Sequence, residues 1–205
     1  MSTQWRLAVT APRFTPLWGA LTGALGGLVY WLGAQIWPTS IAVVLSMLAT
    51  VLLSTGSWKS AKAADLSVVG FVFAVLVKYN ALMALSAAKL PFALPANLAL
   101  GLIMIAGHAA SRALVVSVLV SPAHAAPTPV SHADLGVALA IGFAPAALIG
   151  IPGLIGLVAA IVARIAFIAY IGRHRPPVSD AVLDVTLQLT EVCFYLGALG
   201  TWAYI

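Results

Sequence analysis

Long apolar runs, separated by short connections, constrain the fold of this chain more than any other feature. Of its 205 residues, 62% are hydrophobic and only 7% are charged, and the mean hydropathy is +1.08. The hydrocarbon core of a bilayer offers no water to backbone N–H and C=O groups, so a segment that crosses it is expected to be a helix of about 20 residues. The sequence therefore predicts an all-α polytopic transmembrane helix bundle.

Seven apolar runs are long enough to be spans, and together they predict a single integral membrane domain over residues 1–205. The fifth and sixth runs meet at Ile151-Pro152-Gly153, so residues 135–171 are expected to form either two full spans or one broken pair. The predicted spans are 16–37, 39–55, 67–88, 97–120, 135–149, 153–171 and 181–204.

The basic residues in the connections predict an orientation. If the chain crosses the membrane seven times, six of these residues lie on one side and only Lys89 lies on the other. An excess of Lys and Arg in the connections is typical of the cytoplasmic side. We expect a bacterial inner membrane protein with its N-terminus in the cytoplasm and its C-terminus outside. Because topology explains the net charge of +5, no nucleic-acid partner is expected; a homo-oligomer is left open. The six residues are Arg6, Arg13, Lys59, Lys62, Arg173 and Arg175.

Ionisable residues inside the apolar runs indicate a buried polar site, since each charge costs at least about 2.5 kcal/mol on insertion scales. His108 and Arg112 share a face of the fourth predicted helix, because residues four apart are neighbours on a helix. One face of the last helix carries an acidic stripe, which consists of Asp180, Asp184, Gln188 and Glu191. The other intramembrane charges are Lys78 and Arg164.

Two interpretations of these charges are open. In the first, Arg112 or Arg164 neutralises Glu191 or Asp184 between helices, and Lys78 extends its amine toward the interface. In the second, basic groups bind phosphate and acidic groups bind a divalent cation. The single Cys193 cannot form an intramolecular disulfide.

Three stretches of the sequence resemble the cobalamin synthase family, whose members are adenosylcobinamide-GDP ribazoletransferases. The resemblance implies a membrane enzyme that joins adenosylcobinamide-GDP to α-ribazole or its phosphate and releases GMP with the help of Mg²⁺. The stretches are Gly107-His108-Ala109-Ala110-Ser111-Arg112-Ala113-Leu114, Leu76-Val77-Lys78-Tyr79, and Gln188-Leu189-Thr190-Glu191-Val192-Cys193-Phe194-Tyr195-Leu196-Gly197-Ala198-Leu199.

Roles for individual residues are expected from this resemblance together with the positions of the other charged residues. Glu191 and Asp184 are expected to be catalytic, and Asp180, Asp184 and Asp65 are expected to bind the metal. Substrate binding is expected from Arg112, which would hold phosphate, together with His108, Ser111, Arg164 and Lys78.

The chain departs from the family pattern after Gly56. Family members continue with a histidine and an LDGLAD-type run of aspartates, whereas this chain continues with residues 57–65, in which Asp65 is the only carboxylate. A shortened, divergent member is therefore expected. Two alternatives are a catalytically degraded relative that binds corrinoid or assembles with a pathway enzyme, and a small-molecule membrane transporter.

Overall fold

The computed structural model describes residues 11–53, 68–87, 96–120, 130–174 and 180–202. A short 3-10 turn, Pro12–Phe14, precedes the first helix. Seven α-helices follow in the described parts of the chain, one in each predicted span, which confirms the all-α fold class. They are α1 Thr15–Gly33, α2 Thr39–Leu53, α3 Val68–Ser86, α4 Ala96–Leu119, α5 His132–Ile149, α6 Ile151–His174 and α7 Asp180–Trp202.

The length and composition of the helices fit an integral membrane protein. Four segments are long and apolar enough to cross a bilayer, namely Leu98–Leu119, His132–Ile149, Ile151–Arg173 and Asp180–Thr201. Two further apolar helical segments are shorter, Thr39–Leu53 and Gly70–Ser86. Large apolar side chains such as Leu148 and Ile151 are exposed on the outside of the bundle, as expected for a surface that faces lipid.

The chain forms two separate helices, α5 and α6, in the region where the sequence predicted either two full spans or one broken pair. Ser131 caps the start of α5, because its side-chain oxygen accepts a hydrogen bond of 3.0 Å from the backbone N–H of Asp134. Pro145 lies inside α5 without ending it. Gly150 alone separates the two helices, and its φ of +84° is a conformation that glycine adopts without steric cost.

Helix α4 lies at the centre of the bundle. In the apolar segment of α4, 83% is buried inside the protein. In the apolar segment of α6, which lies at the periphery, only 17% is buried. Helix α4 packs against α1, α3, α5, α6 and α7. A functional group on α4 is therefore surrounded by protein rather than by lipid.

Small residues allow α1 to approach α4 closely. Gly23 faces the backbone of Met104 and Ile105, and Gly27 faces Gly101. In the same row, Gly19 faces the carbonyl oxygen of His108. The glycines at positions 19, 23 and 27 therefore form the packing face that their four-residue spacing predicts.

Replacement of Gly23 by alanine is predicted to destabilise the bundle. A Cβ at Gly23 would lie 2.5 Å from the carbonyl oxygen of Met104, so the helices would have to separate. Overpacking of this kind costs about 1–3 kcal/mol. We expect Gly23→Ala to lower the midpoint of thermal unfolding in detergent. Gly172→Ala is the matched control, because nothing lies within 4 Å of a Cβ at that position, and equal midpoints for the two variants would contradict the packing.

Candidate functional site

Three polar side chains converge on one carboxylate oxygen in the middle of the bundle. The Oε1 atom of Glu191, on α7, lies 2.6 Å from Nζ of Lys78 on α3. It also accepts a hydrogen bond of 2.9 Å from the hydroxyl of Tyr195, one turn further along α7. Nε2 of His108, on α4, lies 3.2 Å from the same oxygen, although the angle is not that of a hydrogen bond. This cluster therefore links α3, α4 and α7.

The packing around Tyr195 explains how the Glu191 carboxylate is held. A Cβ at Gly107 would lie 2.6 Å from the Tyr195 ring, so only glycine leaves room for the ring against α4. Nζ of Lys78 also lies 6.0 Å from the centre of this ring, at the outer limit of an attractive cation–π contact. Tyr195 thus contacts both charges of the ion pair.

The ion pair between Lys78 and Glu191 is almost completely shielded from solvent. The two side chains are 5% and 1% exposed, respectively. Lys78 therefore does not extend to the interface. The ion pair of Glu191 is with Lys78, and not with Arg112 or Arg164 as predicted. A buried pair adds little net stability but is costly to break, since one charge then stays behind without a counter-ion.

Arg112 is a buried cation with two guanidinium nitrogens that donate to no described residue. The residue is 2% exposed, and Gly19 of α1 leaves space for its aliphatic stem. Its Nε and Nη2 atoms are buried and donate no hydrogen bond to any described residue. Its charge interacts with those of Glu191 and Asp184, but neither carboxylate accepts from those two atoms. Buried guanidinium donors without acceptors are costly, and their geometry matches an oxyanion such as phosphate.

Asp184 and Asp180 lie toward the end of the bundle where α4 ends and α7 begins. Asp184 is 9% exposed, and Asp180, the first residue of α7, is partly buried. The chain has five carboxylate side chains in all. Glu191 contacts Lys78, and Asp134 contacts the hydroxyl of Ser131 at 2.8 Å.

The residues predicted to bind a metal ion are Asp180, Asp184 and Asp65, and Asp65 lies outside the described residues. Within the described ranges, no group of three or more His, Cys, Asp or Glu side chains could hold a metal ion. Mg²⁺ commonly uses one or two carboxylates and completes its shell with water and substrate phosphate. Asp180 and Asp184, one turn apart, fit that minimal donor set.

The two remaining predicted substrate-binding residues make contacts within the protein. Nη2 of Arg164, on α6, donates a hydrogen bond of 2.9 Å to the carbonyl oxygen of Ser117. This carbonyl is in the last turn of α4, where the carbonyls lack partners within the helix and a cation is favourable. The hydroxyl of Ser111 donates to the carbonyl of His108 at 3.2 Å within α4. Arg164 thus links α6 to the end of α4, whereas the Ser111 hydroxyl bonds within α4.

The polar groups form a column along α4 and α7. Arg112 follows His108 by four residues, which is about 6 Å along a helix, toward the end of the bundle where α4 ends. Asp184 precedes Glu191 by seven residues, or about 10 Å, toward that same end. The ion pair therefore occupies the middle of the bundle, and the Arg112 donors lie between it and one end.

Two residues of the site were not singled out as functional from the sequence, Tyr195 and Gly107. Tyr195 lies one turn after Glu191, a spacing that allows contact on one helix face. That spacing is the signal that would have identified it. Gly107 carries no such signal, because its neighbour is on a different helix.

Comparisons with known proteins support the resemblance seen in the motifs. No family model matches the chain, and no solved structure matches it. Three curated proteins, each named adenosylcobinamide-GDP ribazoletransferase, are similar in sequence. The protein from Ralstonia nicotianae is 34% identical in an alignment 137 positions long, which covers 54% of this chain and 50% of the relative. The protein from Shewanella amazonensis is 34% identical in an alignment 128 positions long, which covers 53% of this chain and 48% of the relative.

The third relative, from Leptothrix cholodnii, is 57% identical over a shorter stretch of 44 residues, 22% of this chain and 17% of the relative. The chain spans about half the length of the first two relatives. The predicted resemblance to the cobalamin synthase family is thereby confirmed as similarity of sequence.

The buried ion pair predicts a specific pattern of stabilities. Lys78→Met leaves the Glu191 carboxylate without its counter-ion and is expected to cost about 3–5 kcal/mol. The double variant Lys78→Met/Glu191→Gln contains neither charge, and Tyr195 can still donate to the glutamine carbonyl, so most of the loss should be recovered. The measurement is equilibrium unfolding in mixed micelles.

Asn80→Met is the control for this experiment, since Asn80 is an exposed residue two positions further along α3. Its stability is expected to stay near that of the unchanged protein. A double variant as unstable as Lys78→Met would show that the charges of Lys78 and Glu191 are not coupled.

Proposed function

We propose that this chain is a cobalamin synthase-like membrane transferase that joins adenosylcobinamide-GDP to α-ribazole or its phosphate and releases GMP. The observation that carries the proposal is Arg112, whose buried Nε and Nη2 atoms have no acceptor among the described residues. Arg112 lies in one of the stretches that resemble the family, and the relatives of this chain are named for that reaction. A phosphate oxygen of the diphosphate would supply the missing acceptors.

The chemistry assigned to Arg112 is charge stabilisation. In phosphoryl transfer, most of the catalysis comes from positioning and from groups that stabilise charge on the phosphoryl oxygens. A guanidinium that is already buried and oriented does not have to be desolvated when substrate arrives. Arg112 would therefore bind the diphosphate and stabilise the negative charge that develops on it.

Magnesium is part of the proposal, and Asp180 and Asp184 would hold it. When bound, the ion would neutralise charge on the diphosphate oxygens. Asp184 and Arg112 lie toward the same end of the bundle and their charges attract each other, so both would act on one diphosphate. Asp65 is a further candidate ligand outside the described residues.

The proposal also includes the orientation that the basic residues predict. With the N-terminus in the cytoplasm, α4 ends and α7 begins on the cytoplasmic side of an inner membrane. The Arg112 donors and the two aspartates would then be reached from the cytoplasm. That arrangement fits substrates that carry a nucleotide.

A specific observation also favours the alternative of a non-catalytic relative. The Glu191 carboxylate, which the resemblance makes catalytic, already forms an ion pair with Lys78. A folded protein that binds adenosylcobinamide-GDP but releases no GMP would support this alternative. The oligomeric state and a partner enzyme of the same pathway belong to that hypothesis.

The test of the proposal is GMP release by detergent-purified protein given adenosylcobinamide-GDP, α-ribazole and magnesium. Loss of one preorganised charge-stabilising donor typically costs 10²–10³-fold in rate. We expect Arg112→Gln to lower kcat/KM by at least about 100-fold. Arg173→Gln removes an exposed positive charge near the end of α6 and is expected to leave the rate within a few-fold. Equal rates for the two variants would contradict the role of Arg112.

A further inference from the structure

Resting on the proposed function, we propose that His108 is the general base that takes the proton from the attacking hydroxyl group of α-ribazole. Two geometric facts lead to this inference. The imidazole of His108 faces a fixed carboxylate on one side, and it lies one helical turn from Arg112, whose Nε and Nη2 atoms have no acceptor among the described residues.

The first fact is the contact between His108 and Glu191. Nε2 of His108 lies 3.2 Å from Oε1 of Glu191, and that oxygen is held by Lys78 and Tyr195. In nucleophilic and general-base sites, a carboxylate that faces one ring nitrogen keeps the proton there and leaves the other nitrogen to act as the base. Nε2–H would therefore face Glu191, and Nδ1 would accept the proton of the substrate.

The contact between Nε2 of His108 and Oε1 of Glu191 is not yet a hydrogen bond. Its distance is suitable but its angle is not, so Nε2 is buried without an acceptor. Catalytic hydrogen bonds are often poorly aligned before substrate binds and improve in the complex. A rotation of the imidazole ring on substrate binding would align Nε2–H with Oε1.

The second fact is the spacing of His108 and Arg112 on α4. Residues four apart on a helix have Cβ atoms about 5–6 Å apart on the same face. A phosphate bound by Arg112 would therefore lie next to His108, and a hydroxyl group that attacks its phosphorus would lie within reach of the imidazole. The base and the anion-binding group are thus fixed relative to each other by the helix itself.

The step balances without any further reactant. The hydroxyl oxygen of α-ribazole forms a new bond to the phosphorus next to the cobinamide, and its proton goes to Nδ1 of His108. The bond between that phosphorus and the bridging oxygen breaks, and GMP leaves with the electron pair of that bond. His108 later releases the proton to solvent.

The charges around His108 suit a base that starts neutral. The charged groups within reach of the imidazole are Glu191, Lys78 and Arg112. Lys78 and Glu191 balance each other, and Arg112 disfavours a second positive charge next to it. A bound phosphate would offset the charge of Arg112, and the ring could then accept a proton during the reaction.

The experiment compares His108→Gln with the unchanged protein and with His132→Gln, a change at an exposed histidine at the start of α5. General-base catalysis contributes 10²–10⁴-fold. We expect His108→Gln to lower kcat by at least about 100-fold and to leave KM for adenosylcobinamide-GDP within about threefold. The unchanged protein should lose activity as the pH falls, because the base must be neutral, and the residual activity of His108→Gln should lack that decline.

Several outcomes would overturn the inference. One is a His108→Gln variant with kcat within tenfold of the unchanged protein, and another is a decline at low pH that persists in this variant. The pH profile of the unchanged protein is an independent test if His108→Gln does not fold, because a general base must lose its activity when it is protonated. A kcat that stays constant down to the lowest pH at which the protein remains folded would overturn the inference. A complete lack of GMP release by the unchanged, folded protein would instead reject the proposed function.

Discussion

The structure depends on one buried carboxylate oxygen, Oε1 of Glu191. Lys78 and Tyr195 hold it from α3 and from within α7, and His108 faces it from α4. A charge in this position is stable only while its counter-ion is present, since an isolated charge in an apolar interior is very costly. The positions of three helices are therefore coupled to the chemistry of one side chain.

The two buried cations of the site serve different purposes. Lys78 is neutralised within the protein, whereas the Nε and Nη2 atoms of Arg112 find no acceptor among the described residues. Small residues make both arrangements possible, because Gly107 leaves room for Tyr195 and Gly19 leaves room for the stem of Arg112. Among the described residues, the buried Nε and Nη2 donors of Arg112 lie one helical turn from His108.

Much of the fold could be predicted from the sequence, because apolar runs separated by polar connections have few physical solutions in a bilayer. The seven helices and the glycine contacts between α1 and α4 follow from such local patterns. The pairing of charges could not be predicted in this way. Lys78 pairs with a residue more than 100 positions away, and its long stem is equally compatible with an extended conformation that reaches the interface.

The same limit applies to Arg164 and to the acidic stripe. Arg164 looked like a partner for a carboxylate, but it donates to a carbonyl in the last turn of α4. Helical spacing placed the acidic residues of α7 on one face, yet Glu191 and Asp184 lie about 10 Å apart along the helix. Side-chain spacing along one helix predicts which groups share a face, and only the packing of the other helices decides which groups meet.

We propose that Arg112, and not the Lys78–Glu191 pair, binds the anionic group of the substrate. Equilibrium dialysis of adenosylcobinamide-GDP against purified protein measures this binding without requiring turnover. We expect Arg112→Gln to weaken binding at least tenfold, which corresponds to about 1.4 kcal/mol, and we expect the charge-free variant Lys78→Met/Glu191→Gln to bind nearly as tightly as the unchanged protein. Unchanged affinity in Arg112→Gln would show that Arg112 does not bind the substrate.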